Sequence, residues 1–182
     1  MTSPGILQID KNSFDLDQTN IYGIYEPQGG YMTWHIEMFL VGEVSYVMFN
    51  SLVFDNIFSP SELSNIKYKA TSGTDDLYEH TIHINGQDRF MQSVDMTFEN
   101  WDAISQSIKL SGNGIVAAGD ALPEATYQFT AFLKFSEIDI FETSQEETKK
   151  FADNHLTGMK DNLEIKFENV ESGLHAIIKG QF

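Results

Sequence analysis

The sequence predicts a mainly β protein, an antiparallel β-barrel or sandwich, with one α-helix in the C-terminal third packed on the sheet. Three observations carry this. Apolar and polar residues alternate along most of the chain, which is the period of half-buried strands. Turn signals separate the alternating runs at spacings too short for the crossovers of a parallel sheet. A single stretch, about 144–157, combines helix-end signals with a helical apolar stripe. No linker, repeat or low-complexity tract divides the chain, so 1–182 reads as one domain.

The elements follow in order. Between residues 29 and 50 runs "GGYMTWHIEMFLVGEVSYVMFN". Met32, Trp34, Ile36, Met38 and Leu40 alternate with Tyr31, Thr33, His35 and Glu37, a strand's period. Gly42 interrupts it as a bulge or tight turn would. Beyond it, Val44, Tyr46 and Met48 on one face and Val47 and Phe49 on the other suit a strand apolar on both faces. The charge-free run from Val44 to Phe54 is far shorter than the ~20 residues of a membrane helix. "SPSELSN" places Ser59 before Pro60, a start signal for a short helix or turn. Asn85-Gly86 marks a hairpin, because both residues tolerate positive φ. In "RFMQSVDMTFE", Phe90, Val94, Met96 and Phe98 are expected to point inward. Ser111-Gly112-Asn113-Gly114 reads as a further hairpin turn. "TYQFTAFLKF" alternates Tyr127, Phe129, Ala131, Leu133 and Phe135 against polar residues, with Phe132 the exception.

The helix begins at a capping box, Ser144 with Glu147. Phe151, Ala152, His155 and Leu156 form its stripe, and Gly158 is its expected stop. "LEIKFE" then alternates Leu163, Ile165 and Phe167 against Glu164, Lys166 and Glu168, and "NVESGLH" closes a last hairpin. The total is roughly ten strands. Many antiparallel strands, then a helix, then a terminal strand or two: this element order resembles that of lipocalin-like barrels. The Gly-x-Trp of a lipocalin first strand is missing, because Trp34 lies four residues after Gly30.

Composition excludes several functions. With no cysteine there is no disulfide, thiolate nucleophile, iron–sulfur cluster or cysteine zinc site. The net charge is −16 and Arg89 is the single arginine. Such a chain repels phosphate backbones and anionic bilayers, so neither nucleic acid nor membrane is an expected partner. The N-terminus has no basic segment followed by an apolar one, so the expected location is cytoplasmic. Acidity favours a basic protein partner.

Motifs are few. His35 and Glu37 share a strand face and could form an acid–base pair if that face lines a cavity. The Cys motif that would make His-x-Glu a deaminase site is absent. His80 and His83 point to opposite faces of a strand; His80 joins Tyr78, Ile82 and Ile84 as a core histidine or a pocket residue. Residues 112–119, "GNGIVAAG", lack the Lys-Ser/Thr of a phosphate loop. The acidic groups Asp10, Asn12, Asp15, Asp17 and Asp75, Asp76, Glu79 do not match calcium-loop spacing. No metal and no cofactor is expected.

Trp34, Met38, Tyr46, Met48, Phe98, Tyr127 and Phe129 are the expected ligand contacts of an apolar interior. The leading functional expectation is binding of an apolar small molecule in a β-barrel cavity, by a carrier or by a cyclase- or isomerase-type scaffold. His35, Glu37 and His80 would then be the candidate catalytic groups. One alternative is an acidic immunity protein or inhibitor that neutralises a basic protein. A second is a structural subunit that assembles through strand edges.

Overall fold

The computed structural model describes residues 3–42, 45–72, 79–84, 86–119, 122–170 and 173–180. Among the described residues, alternation becomes eleven strands: β1 (Gly5–Ile9), β2 (Asn12–Glu26), β3 (Tyr31–Leu40), β4 (Tyr46–Val53), β5 (Lys67–Thr71), β6 (Thr81–Ile84), β7 (Gln87–Asp102), β8 (Ser107–Val116), β9 (Ala125–Thr143), β10 (Leu163–Val170) and β11 (Gly173–Gly180). They belong to one sheet, ordered β1-β2-β3-β4-β6-β7-β8-β9-β11-β10, with β5 on β7. Pairing is antiparallel except between β2 and β9, which run parallel over Asn20–Tyr25 and Lys134–Ile140.

The long β9 curls the sheet. Its first half bonds β8 on one edge and β1 on the other, through the same residues Tyr127–Ala131. Its second half lies between β2 and β11. The pairings thus return to their start. The circuit is thin at β4–β6, where three positions pair among the described residues. Short turns fix the registers: Gly30, Gly42 and Gly86 all hold positive φ.

The inward faces form one core. Leu7, Leu16, Ile21, Trp34, Ile36, Met38, Phe49, Phe98, Leu110, Leu133, Phe135 and Ile138 are fully or almost fully buried. Two expectations are corrected. Phe90 points outward and is 48% exposed. A bulge between Met91 and Ser93 shifts the period, so Arg89 and Met91 take the inward positions. Ser111–Gly114 is no turn but the middle of β8. There Gly112 sits opposite Phe129 and Gly114 opposite Tyr127. A Cβ on Gly112 would lie 2.6 Å from the Phe129 ring, and one on Gly114 1.9 Å from the Ser93 carbonyl oxygen. These glycines mark close approach inside a strand rather than reversal.

The helix α1 spans Gln145–His155, shorter than the expected 144–157, with Ser144 as its N-cap. The Ser144 hydroxyl accepts from the Glu147 N–H, and the Glu147 carboxylate accepts from the Ser144 N–H at 2.9 Å. The helix ends at Leu156, before Gly158, and the chain continues as a 3-10 turn over Thr157–Asn162. Phe151 and Ala152 seal it to the core, with Phe151 against Tyr25 at 4.5 Å between rings. Ser59 and Pro60 open a 3-10 turn, Pro60–Leu63. No described helix is long and apolar enough to cross a membrane.

Candidate functional site

The expected ligand contacts divide between the two faces of the sheet. Trp34, Met38, Phe98, Tyr127 and Phe129 are at most 4% exposed and pack as core. Tyr46 and Met48 lie half-buried on the outer face of β4. Tyr46 stacks there on His83 at 4.9 Å, and His83 pairs with Asp88 at 2.8 Å.

His80 is a buried, hydrogen-bonded core histidine. The Asn50 N–H donates to its Nδ1 at 3.3 Å, which leaves Nε2 to carry the proton toward the Tyr68 hydroxyl at 3.0 Å. Burial pushes its pKa down. Its expected neighbour Tyr78, with Asp75 and Asp76, lies outside the described residues.

His35 and Glu37 share the outer face, with Trp34, Ile36 and Met38 on the other. His35 is nonetheless buried. Tyr22 stacks on it at 4.9 Å, and Ser51, at φ 54, bulges β4 so that its N–H and the Asn50 side chain meet the ring. The Thr33 hydroxyl completes the set at 3.3 Å. Desolvation lowers the His35 pKa. Tyr22 lies between His35 and Glu37: it stacks on the His35 ring, and burial, then the nearby Glu37 charge, raises its pKa. Further along this face His175 pairs with Asp139 at 3.0 Å and stacks on Phe141 at 4.4 Å. Burial, then the nearby Glu137 charge, raises the Asp139 pKa. Among the described residues, no three His, Asp or Glu side chains are grouped to hold a metal ion.

A broad concavity lies elsewhere, on the outer face of β1, β7, β8 and β9, where a groove of about 920 Å3 opens. Strand register builds it. Ser13, Gln8, Gln128, Asn113 and Asp95 stand opposite one another in one row across β2, β1, β9, β8 and β7. Asp15, Ile6, Thr130, Ser111 and Thr97 make the next row over the same strands. The Gln128 amide donates to Gln8. Among the described residues, the side chains of Asn113, Thr97 and Thr130 make no hydrogen bond, so their donors and acceptors face the groove free. Ile6 and Phe132, 49% and 51% exposed, give it an apolar wall. The segment from Ser3 to Ile6 is held in place by the Ser3 hydroxyl on the Leu16 carbonyl and by the Phe132 N–H on the Pro4 carbonyl.

Sequence reasoning passed over the groove, since its polar residues look like an ordinary wet face. One signal was visible: Phe132 breaks the alternation of β9 by placing an aromatic ring among polar neighbours. The chain matches no protein-family model, and comparisons with curated proteins and with solved structures gave no significant match.

Proposed function

We propose that the protein binds an uncharged, hydroxyl-rich small molecule, of the oligosaccharide class, in the outer groove. The observation that carries this is the double row of amide and hydroxyl side chains between Asp15 at one end and Asp95 at the other, beside exposed Ile6 and Phe132. Sugars present hydroxyls around their rims and C–H groups on their faces. Amides and hydroxyls at strand spacing suit the first, and an exposed aromatic ring suits the second. The four strands β1, β9, β8 and β7 offer a track roughly 14 Å wide at ~4.8 Å per strand. The charge of −16 disfavours anionic ligands.

Binding rather than hydrolysis fits the acids. Asp15 on β2 and Asp95 on β7 stand four strand gaps apart, roughly 19 Å along the sheet. A glycosidase pair needs about 5–9.5 Å. An apolar ligand within the curled sheet has less in its favour, because Trp34, Met38 and Phe98 would have to leave a packed core. A basic protein partner rests on net charge alone.

Amide-detected NMR titration with neutral oligosaccharides tests the proposal. The side-chain amides of Gln8, Asn113 and Gln128 are expected to shift, and N113A and F132A to weaken binding about tenfold each. A full panel that leaves these amides unmoved, while a fatty acid or apolar dye alters Trp34 fluorescence, would return the site to the interior.

A further inference from the structure

The sheet ends at β10. Only β11 pairs with it among the described residues, so its other edge carries unbonded backbone N–H and C=O groups. Its apolar face is equally unfinished. Ile165 opposes Ile178 and Phe167 opposes Ala176, and those two β11 residues are wholly buried. Across one strand the core therefore runs from full burial to Ile165 and Phe167, which are 37% and 38% exposed. Lys166 and Glu164, on the other face, form an exposed contact of 3.5 Å.

The order of side chains on β10 specifies its complement. Two copies of the strand, antiparallel about a two-fold axis, can be centred on Ile165, Lys166 or Phe167. Centred on Lys166, Glu164 would face Glu168 of the other copy and Lys166 would face itself. Centred on Phe167, Lys166 would face Glu168, but Ile165 would face polar Asn169 and Glu164 would face apolar Val170. Centred on Ile165, every pair matches: Leu163 with Phe167, Ile165 with Ile165, and Glu164 with Lys166 twice. We propose that β10 is a self-association edge, joining two copies of this chain into one continuous sheet in the register centred on Ile165. Main-chain hydrogen bonds supply the attachment, the apolar face extends the core across the axis, charge excludes the Lys166 register, and the apolar pairs Leu163–Phe167 and Ile165–Ile165 favour the Ile165 register over the Phe167 one. This inference is independent of the groove, which lies on β1, β7, β8 and β9.

Sedimentation equilibrium of the full chain at ~0.15 M salt, where repulsion between acidic chains is screened, tests it. A species of twice 20.6 kDa is expected to grow in with concentration. K166E sets like charges opposite one another and is expected to weaken association at least about tenfold. I165D should do the same by placing two carboxylates on the axis. The double variant E164K/K166E restores both opposite-charge pairs of the Ile165 register at the wild-type net charge, whereas the Phe167 register would set two pairs of acids face to face and the Lys166 register would still set position 166 against its own like charge; it is expected to recover the dimer. K149E, on exposed Lys149 of α1, controls for the added negative charge of K166E and should leave association unchanged. These surface variants leave the fold intact, which circular dichroism checks. A chain that stays monomeric to about 500 μM overturns the proposal, as does a K166E protein that still dimerises or a charge swap that fails to rescue.

Discussion

His80 shows how far one residue can be placed from pattern alone. Its position among apolar neighbours points to a core histidine, and it is buried with both ring nitrogens engaged. His35 was harder, because its alternation with Trp34 and Ile36 puts it correctly on the outer face yet does not reveal the Tyr22 ring or the Ser51 bulge that bury it. Both histidines have lowered pKa values, chiefly through desolvation. The folded protein therefore keeps them neutral at pH values where the unfolded chain, titrating near 6.5, takes up protons. The sign follows: their contribution to stability is complete above about pH 7 and is lost as pH falls through 6.5 toward the lowered folded values, by up to about 1.4 kcal/mol per pH unit per site. Urea midpoints measured from pH 7.5 down to 5.5 are expected to fall, and to fall less steeply in H80Q. A variant with the wild-type slope would remove His80 from that account.

At the scale of the element, strands with one buried face were legible and irregular ones were not. Burial alternates strictly over Ala125–Phe135 of β9 and, apart from His35, along β3. The bulge in β7 reversed Phe90, because a single extra residue exchanges the faces on either side of it. β8 was misread because Gly-x-Gly signals reversal in most contexts, whereas here the glycines admit Phe129 and Tyr127 from β9. G114A is accordingly expected to destabilise by about 2–3 kcal/mol, since its methyl would collide with the Ser93 carbonyl and the Tyr127 hydroxyl. G158A, where nothing lies within 4 Å, is the control and should change stability by less than about 1 kcal/mol. Thermal denaturation of the pair decides it; equal midpoints would contradict the crowding at Gly114.

For the whole molecule, the dominant long-range term is the charge of −16. Few cations offset it, and the described ion pairs, Lys69–Asp95, Lys109–Glu99 and Lys179–Glu137 among them, are partly exposed and individually weak. Screening by salt should therefore stabilise the fold. Raising sodium chloride from about 10 mM to 0.2 M is expected to lift the melting temperature by a few degrees. Calorimetry checks this, and a midpoint that falls with salt would show that local ion pairs outweigh the general repulsion. The sequence by itself determined the β class, most strand positions, the capped helix and the absence of cysteine chemistry, because these depend on period, propensity and composition over a few neighbouring residues. Tertiary structure alone decided that β2 meets β9 in parallel, that Tyr127 and Phe129 pack as core, and that Gln8, Asn113 and Gln128 fall into one row. The pairings of β1 and β2 with β9 are set by register between residues more than a hundred apart in the chain. Nothing in local alternation records which distant residue will stand opposite.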